Sequence, residues 1–162
     1  MGFVSQISEV IPQLIDAGRQ VVERGLVLAS GGNLSARLTD DAFVVTASGT
    51  WLDRLTVADF SIVNAAGEVI GGADRPSVEW KLHHHTYAVR PDVAAVVHLH
   101  PQHALLVDML GERIRCTTLD HAFYLGRVAR VPFRPAGSEE IATLAADAVA
   151  DGTNAVVLAH HG

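Results

Sequence analysis

His98 and His100 stand two residues apart at the end of an apolar, β-branched run that begins at Val93. A strand's period of two sends both imidazoles to one face, with roughly 6–7 Å between their Cα atoms. That spacing suits two nitrogens converging on one ion; it suits equally a hydrogen-bonded histidine pair at a strand end. The chain closes on another pair, His160-His161-Gly162, after a second apolar run, and Glu79 precedes the first run in the opening turn of an expected helix. Three imidazoles and a carboxylate form a nitrogen and oxygen donor set suited to Zn2+, or to another first-row divalent ion such as Mn2+ or Co2+, better than to calcium or magnesium.

The triple His83-His84-His85 is a weaker signal, because consecutive helical residues point about 100° apart and cannot all serve one ion. His83 shares a face with Glu79 at i, i+4, as a neighbour of the site or a further ligand. His84 and His85 read as packed or solvent-facing, and His103 and His121 either line the same region or are structural. A second chemical feature is Gly31-Gly32-Asn33 with the later Ser48-Gly49. Small residues at strand ends can turn backbone N–H groups toward a phosphate, although the same sequences are also ordinary turns.

These residues must be positioned by a chain of 162 residues, enough for one domain, residues 1–162, with a real core. Apolar residues make up 49% and charged ones 19%, which excludes a disordered chain. A formal charge of −6 lacks the footprint of a phosphate-backbone binder, so no nucleic acid partner is expected. The single cysteine, Cys116, cannot close an internal disulfide and fits a reducing compartment. No leader is evident and no apolar run approaches the ~18 residues of a membrane span, so a cytoplasmic protein with no membrane contact is expected.

Apolar residues at helical spacing from Val4 to Val22 predict an amphipathic helix ending at Gly25, with an irregularity at Pro12. Hairpins are predicted from Asn33 to Leu38 with Ala42 to Thr46, and from Ser61 to Asn64 with Glu68 to Ile70. Ser77 is the expected cap of a helix reaching Arg90, followed by a buried strand from Val93 to His100 and a helix from Pro101 to Leu110. A strand from Val128 to Phe133, a helix opened by Ser138 and a short buried strand from Ala155 to Ala159 complete the pattern. Interleaved helices and hairpins predict helices covering a mixed or mainly antiparallel sheet.

The ordered motifs Gly32-Asn33-Leu34-Ser35, Thr46-Ala47-Ser48-Gly49, Pro76-Ser77-Val78-Glu79-Trp80, Arg90-Pro91-Asp92, His98-Leu99-His100-Pro101 and His161-Gly162 resemble the class II aldolase/adducin-head family. Its familiar enzymes include L-fuculose-1-phosphate aldolase and L-ribulose-5-phosphate 4-epimerase, and the resemblance runs from about residue 5 to residue 162. It implies an α/β fold, a three-layer α/β/α sandwich with a central, mostly antiparallel sheet, assembled as a homotetramer. It implies a metal held by Glu79, His98, His100 and His161, the last chosen over His160 because it directly precedes glycine. It also implies a substrate phosphate at Gly32, Asn33, Ser48, Gly49 and Ser77.

The implied activity is a lyase that cleaves a small ketose 1-phosphate to dihydroxyacetone phosphate and an aldehyde through a metal-stabilised enediolate, with Glu79 as general acid/base. A 4-epimerase, a decarboxylase or a dehydratase of the same family are the enzymatic alternatives, and a non-catalytic adducin-like module is the alternative of another class. Three departures qualify the resemblance. Val78 replaces the second serine of the family's Pro-Ser-Ser-Glu, weakening phosphate recognition. Tyr124 lies within a residue or two of a tyrosine acid that reaches in from a neighbouring subunit. A second, C-terminal tyrosine has no counterpart, and the family's usual C-terminal extension is expected to be missing.

Overall fold

A computed structural model describes residues 3–162. The first helix, α1 (Phe3–Glu23), runs unbroken through Pro12, whose side chain is on the exposed face, where water can satisfy the carbonyl that proline leaves unpaired. Two hairpins follow, β1 (Asn33–Thr39) with β2 (Ala42–Thr46) and β3 (Phe60–Asn64) with β4 (Val69–Gly72), separated by two single 3-10 turns at Leu52–Arg54 and Val57–Asp59. Next come α2 (Trp80–Val89), β5 (Ala95–His98), α3 (Gln102–Met109), α4 (Leu119–Tyr124), β6 (Val128–Val131), α5 (Glu139–Val149) and β7 (Ala155–Leu158).

The hairpins and β5 form one antiparallel sheet in the order β4-β3-β2-β1-β5, while β6 and β7 pair in parallel beside it. The expected mostly antiparallel α/β architecture is therefore present. Alternation along β1 explains its layers. Leu34, Ala36 and Leu38 face α1 and join Ile11, Leu14, Val44 and Phe60 in one core. Ser35 and Arg37 face the other way, against α2, where Phe43, Val45, Val63 and Tyr87 pack together.

α2 is anchored at its end by two arginines. Arg37 donates to the carbonyls of Tyr87 and Arg90, and Arg90 donates to the carbonyls of Val149 and Thr153. The Arg90-Pro91-Asp92 motif is thus a tie between α2, the end of α5 and the start of β7, with Asp92 holding the guanidinium from outside.

Two expectations are corrected, and one element was not foreseen. Ser77 does not cap α2; the helix starts at Trp80, and Ser77 Oγ instead accepts the N–H of Glu79 at 3.3 Å. The run from Val93 to His100 is not a long buried strand, since β5 spans only Ala95–His98 at the sheet edge with Val97 53% exposed. Its outer edge lines an open cleft of about 880 Å³ shared with β7, and among the described residues no neighbouring strand covers it. α4 was not foreseen; its six residues carry no readable helical period. Among the described residues, no helix is long and apolar enough to cross a membrane.

Candidate active site

Sheet register brings the chemistry together. Asn33 lies opposite His98 in the β1–β5 pair, and Leu34 N–H donates to Thr46 Oγ1 of β2, so the ends of β2, β1 and β5 are level. The segment after β2 is then stitched to the segment before α2: Ser77 N–H donates to Thr46 O and Ser48 N–H to Arg75 O, both at 2.9 Å, around an isolated bridge between Ala47 and Pro76. This places Glu79, one residue before α2, over the end of the sheet.

Glu79, His98, His100 and His161 converge there. Their candidate ligand atoms all lie within 4.8 Å of one another. His98 Nε2 is 3.0 Å from His100 Nε2 and 3.1 Å from Glu79 Oε2, and His161 Nε2 is 3.1 Å from Glu79 Oε1. Four donors at ~2.0–2.1 Å from a tetrahedral zinc would stand about 3.3 Å apart, so the closest contacts match that scale. Glu79 Oε1 is buried and, despite its nearness to His161, makes no hydrogen bond. A buried carboxylate oxygen left unpaired beside three imidazole nitrogens fits a divalent cation on the chemistry of the donors themselves.

The titration behaviour agrees with that fit. Burial pushes the Glu79 carboxyl up, but its close contacts with His161 and His98 and their charges outweigh it, leaving it well below the ordinary carboxylate range. Burial, followed by repulsion from His98 and His161, pushes His100 down to about 4, so its ring is neutral with a free lone pair at neutral pH.

Behind the cluster lies a directed hydrogen-bond chain. Asn33 Nδ2 donates to Glu79 Oε2 at 3.0 Å, which turns Asn33 Oδ1 toward His83 Nε2. His83 is fully buried, and burial lowers its pKa to about 3, so it is neutral and carries its proton on Nε2. Its bare Nδ1 then accepts from Ser35 Oγ at 2.6 Å, and Ser35 Oγ accepts from the Tyr87 hydroxyl at 2.8 Å. Tyr87, Ser35, His83 and Asn33 all point their protons toward Glu79. Both ring nitrogens of His83 are committed, which makes it a neighbour of the cluster rather than one of its donors. Ser35 and Tyr87 were missed by the sequence reading; the signal available was Ser35 at i+2 from Asn33, on the same strand face.

The small-residue candidates meet a different environment. Gly32 has φ +74°, and a Cβ there would stand 2.7 Å from the carbonyl oxygen of His98, so the chain passes too close to β5 for a side chain. Gly162 is crowded likewise: a Cβ would meet Leu99 O at 2.5 Å and the rings of His98 and His100 at 2.9 Å. Ser48 is half-buried and Gly49 exposed in the turn, and Ser77 is buried below it. The Asn33 amide is spent on Glu79 and His83.

The remaining histidines do not join. His84 meets Ala65 O, His85 pairs with Glu139, and His103, His121 and His160 are exposed. Tyr124 is 69% exposed at the end of α4, in edge contact with Phe123, away from any hydrogen-bond partner among the described residues.

The fold and the cluster define a class, α/β proteins that gather nitrogen and oxygen donors at one end of an antiparallel sheet. Within that class the particular family is shown by a match over residues 12–162 to the family described as Class II Aldolase and Adducin N-terminal domain, and the chain belongs to it. It is 32% identical over 154 residues to a 3-oxo-tetronate 4-phosphate decarboxylase of Haemophilus influenzae, spanning 92% of this chain and 72% of that one. It is 37% identical over 150 residues to a 5-methylthioribulose-1-phosphate/5-deoxyribulose-1-phosphate aldolase of Rhodospirillum rubrum, spanning 92% of this chain and 66% of that one. A solved L-fuculose 1-phosphate aldolase superposes with a TM-score of 0.87 at 31% identity, covering 96% of this chain and 73% of its own.

Proposed function

We propose that this chain carries the metal centre of a lyase that cleaves a carbon–carbon bond in a small phosphorylated sugar, with aldol cleavage of a ketose 1-phosphate as its reaction. The observation that carries this reading is the buried, unpaired Glu79 Oε1 among three converging imidazoles, beside a turn of glycine and serine. Glu79, His98, His100 and His161 would hold the ion, zinc or a similar divalent metal, which would supply Lewis-acid stabilisation of the charge that develops on substrate oxygen as the bond breaks.

The chain's own residues supply the rest. In the cleavage, the hydroxyl on the carbon that becomes the aldehyde loses its proton, the bonding pair stays with the ketone fragment, and that fragment's carbon then takes up a proton. Glu79 is placed to move the last proton. A carboxylate held well below its ordinary range is a weak base, so this role needs substrate to loosen its contacts with His98 and His161. Asn33 holds the other carboxylate oxygen while that happens. Gly32, Ser48, Gly49 and Ser77 would receive the phosphate, Asn33 joining them only if its amide leaves Glu79. The exposed Tyr124 would serve as an acid in a neighbouring subunit of a homotetramer.

A second reading, decarboxylation of a phosphorylated sugar acid, is favoured by Val78, which is 64% exposed and removes a hydroxyl from the phosphate side, and by the likeness to the Haemophilus influenzae decarboxylase. Incubation of the metal-loaded protein with L-fuculose 1-phosphate and related ketose phosphates tests the choice. Release of dihydroxyacetone phosphate with an aldehyde supports aldol cleavage; release of carbon dioxide from a 3-oxo sugar-acid phosphate, with no aldehyde from any ketose phosphate, overturns it.

A further inference from the structure

We propose that Asp108 is a positioning residue for His161, and that α3 serves as the strut coupling His98 and His100 to the turn that completes the donor set. The inference rests on the metal-centre reading above and adds a residue that lies outside it.

His161 sits in a tight turn after β7. The base of that turn is closed by its own main chain: Leu158 N–H donates to Gly162 O at 2.7 Å, Gly162 N–H to Leu158 O at 3.1 Å, and His161 N–H to Leu158 O at 3.0 Å. Its crown is His160, whose φ of +57° lies in the left-handed region that non-glycine residues rarely adopt. The N–H of His160 has no acceptor within the turn and donates to Asp108 Oδ2 at 2.9 Å. The imidazole of His160 is exposed and its Nδ1 is 3.9 Å from the same oxygen, so the hold is on the main chain.

Asp108 is 4% exposed and lies in the last turn of α3, where the helix dipole disfavours an anion. Its second oxygen is taken by Arg130 Nε from β6. A buried acid in that position does nothing for packing that an apolar residue would not do better; what it does here is bind one main-chain N–H and one guanidinium. Because α3 opens at Gln102, two residues after His100, one short helix spans from the first histidine pair to the anchor of the third ligand.

The test is a double-mutant cycle on metal affinity in the full chain, read with Co2+ by competition against a chelating dye and by the visible absorption of the bound ion. Asp108→Ala is expected to weaken Co2+ binding by about 10–100-fold, the usual scale for a residue that orients a ligand. In a His161→Ala background, where water can stand in for the lost donor and the weaker binding is read by direct Co2+ titration, the same change is expected to cost less than about twofold, because the ligand it positions is already gone. The spectrum of the Asp108→Ala protein should move toward that of His161→Ala.

Asp108→Asn keeps an oxygen for the His160 N–H and should retain most of the affinity; it carries the test if the alanine variant does not fold. His160→Gly keeps the N–H and suits the left-handed backbone, and should bind as the unaltered protein does. An equal loss from Asp108→Ala with and without His161, or no loss while His98→Ala abolishes binding, overturns the proposal. Undiminished Co2+ binding by His98→Ala overturns the metal-centre reading itself, and this inference with it.

Discussion

The donor cluster and the turn beside it occupy the same end of the sheet and are built by opposite means. Around Glu79, side chains set position: Tyr87, Ser35, His83 and Asn33 form one buried chain in which each residue donates to the next. Along Thr46 to Gly49 and Pro76 to Ser77, the main chain sets position, through Ser77 N–H to Thr46 O and Ser48 N–H to Arg75 O, and the turn opens to solvent at Gly49. A satisfied buried network punishes the loss of any member, because what remains is left unpaired in low dielectric. A main-chain turn tolerates side-chain exchange, which lets recognition change without disturbing the chemistry. The cluster is thus the invariant half of the site in physical terms and the turn its adjustable half.

Removal of a donor is the largest expected effect. His98→Ala should bring divalent-metal binding below what dye competition detects and abolish any lyase activity, with the thermal unfolding of the metal-free protein still cooperative. Retained binding would make the cluster a hydrogen-bonded histidine group rather than a metal centre.

Asn33→Ala comes next and sets the two regions directly against each other. It strands His83 Nε2 in the interior and leaves Glu79 Oε2 to His98, so a loss of about 1–3 kcal/mol in urea unfolding is expected. Ser48→Ala, in the half-buried turn, should stay within about 0.5 kcal/mol. Comparable losses at the two positions would erase the distinction drawn above.

The network also predicts a pH response. His83 has its pKa lowered from 6.5 to about 3 by burial, so below pH 6.5 the unfolded chain binds a proton that the folded protein refuses. The unfolded state then binds more protons, and stability falls as pH drops through that window; at pH 5 the cost is about 2 kcal/mol. In metal-free protein, His83→Gln should start less stable but lose that part of the slope between pH 7.5 and pH 5. An unchanged slope would mean that His83 is protonated in the folded state and that the hydrogen-bond directions assigned here are wrong.

Spacing made one part of the donor cluster legible, since His98 and His100 are two apart on one strand face; the choice of His161 over His160 and the grouping of Glu79 with them came from the ordered motifs of the family resemblance. The network that aims Glu79 was not legible, because it joins residues 46 to 52 positions apart, and no local pattern says that Ser35 will meet Tyr87. The edge position of β5 was misread for a related reason. A β-branched apolar run reports the preference for a strand, while burial depends on whether another strand lies alongside, and Val97 faces an open cleft instead. Asp108 carries no local signal of its role either, because only the fold brings the His160 N–H against it from 52 positions away.

The smallest effects belong to the turn, and they bear on the choice of substrate. Ser77→Ala should weaken binding of a phosphorylated substrate by about tenfold, the lower end for a hydrogen bond to a charged group, with little change in metal affinity. Val78 offers the converse test. Its side chain is 64% exposed, so Val78→Ser costs little packing and places a hydroxyl beside Ser77. If the turn receives a phosphate, this change should lower KM for a ketose phosphate by up to about tenfold while kcat stays level, since the contact is made equally before and during bond cleavage. An unchanged KM would mean that the phosphate does not reach residue 78. A lowered kcat with unchanged KM would place this residue against the reacting end of the substrate, where an exposed valine suits a carboxylated carbon chain that carries its phosphate elsewhere.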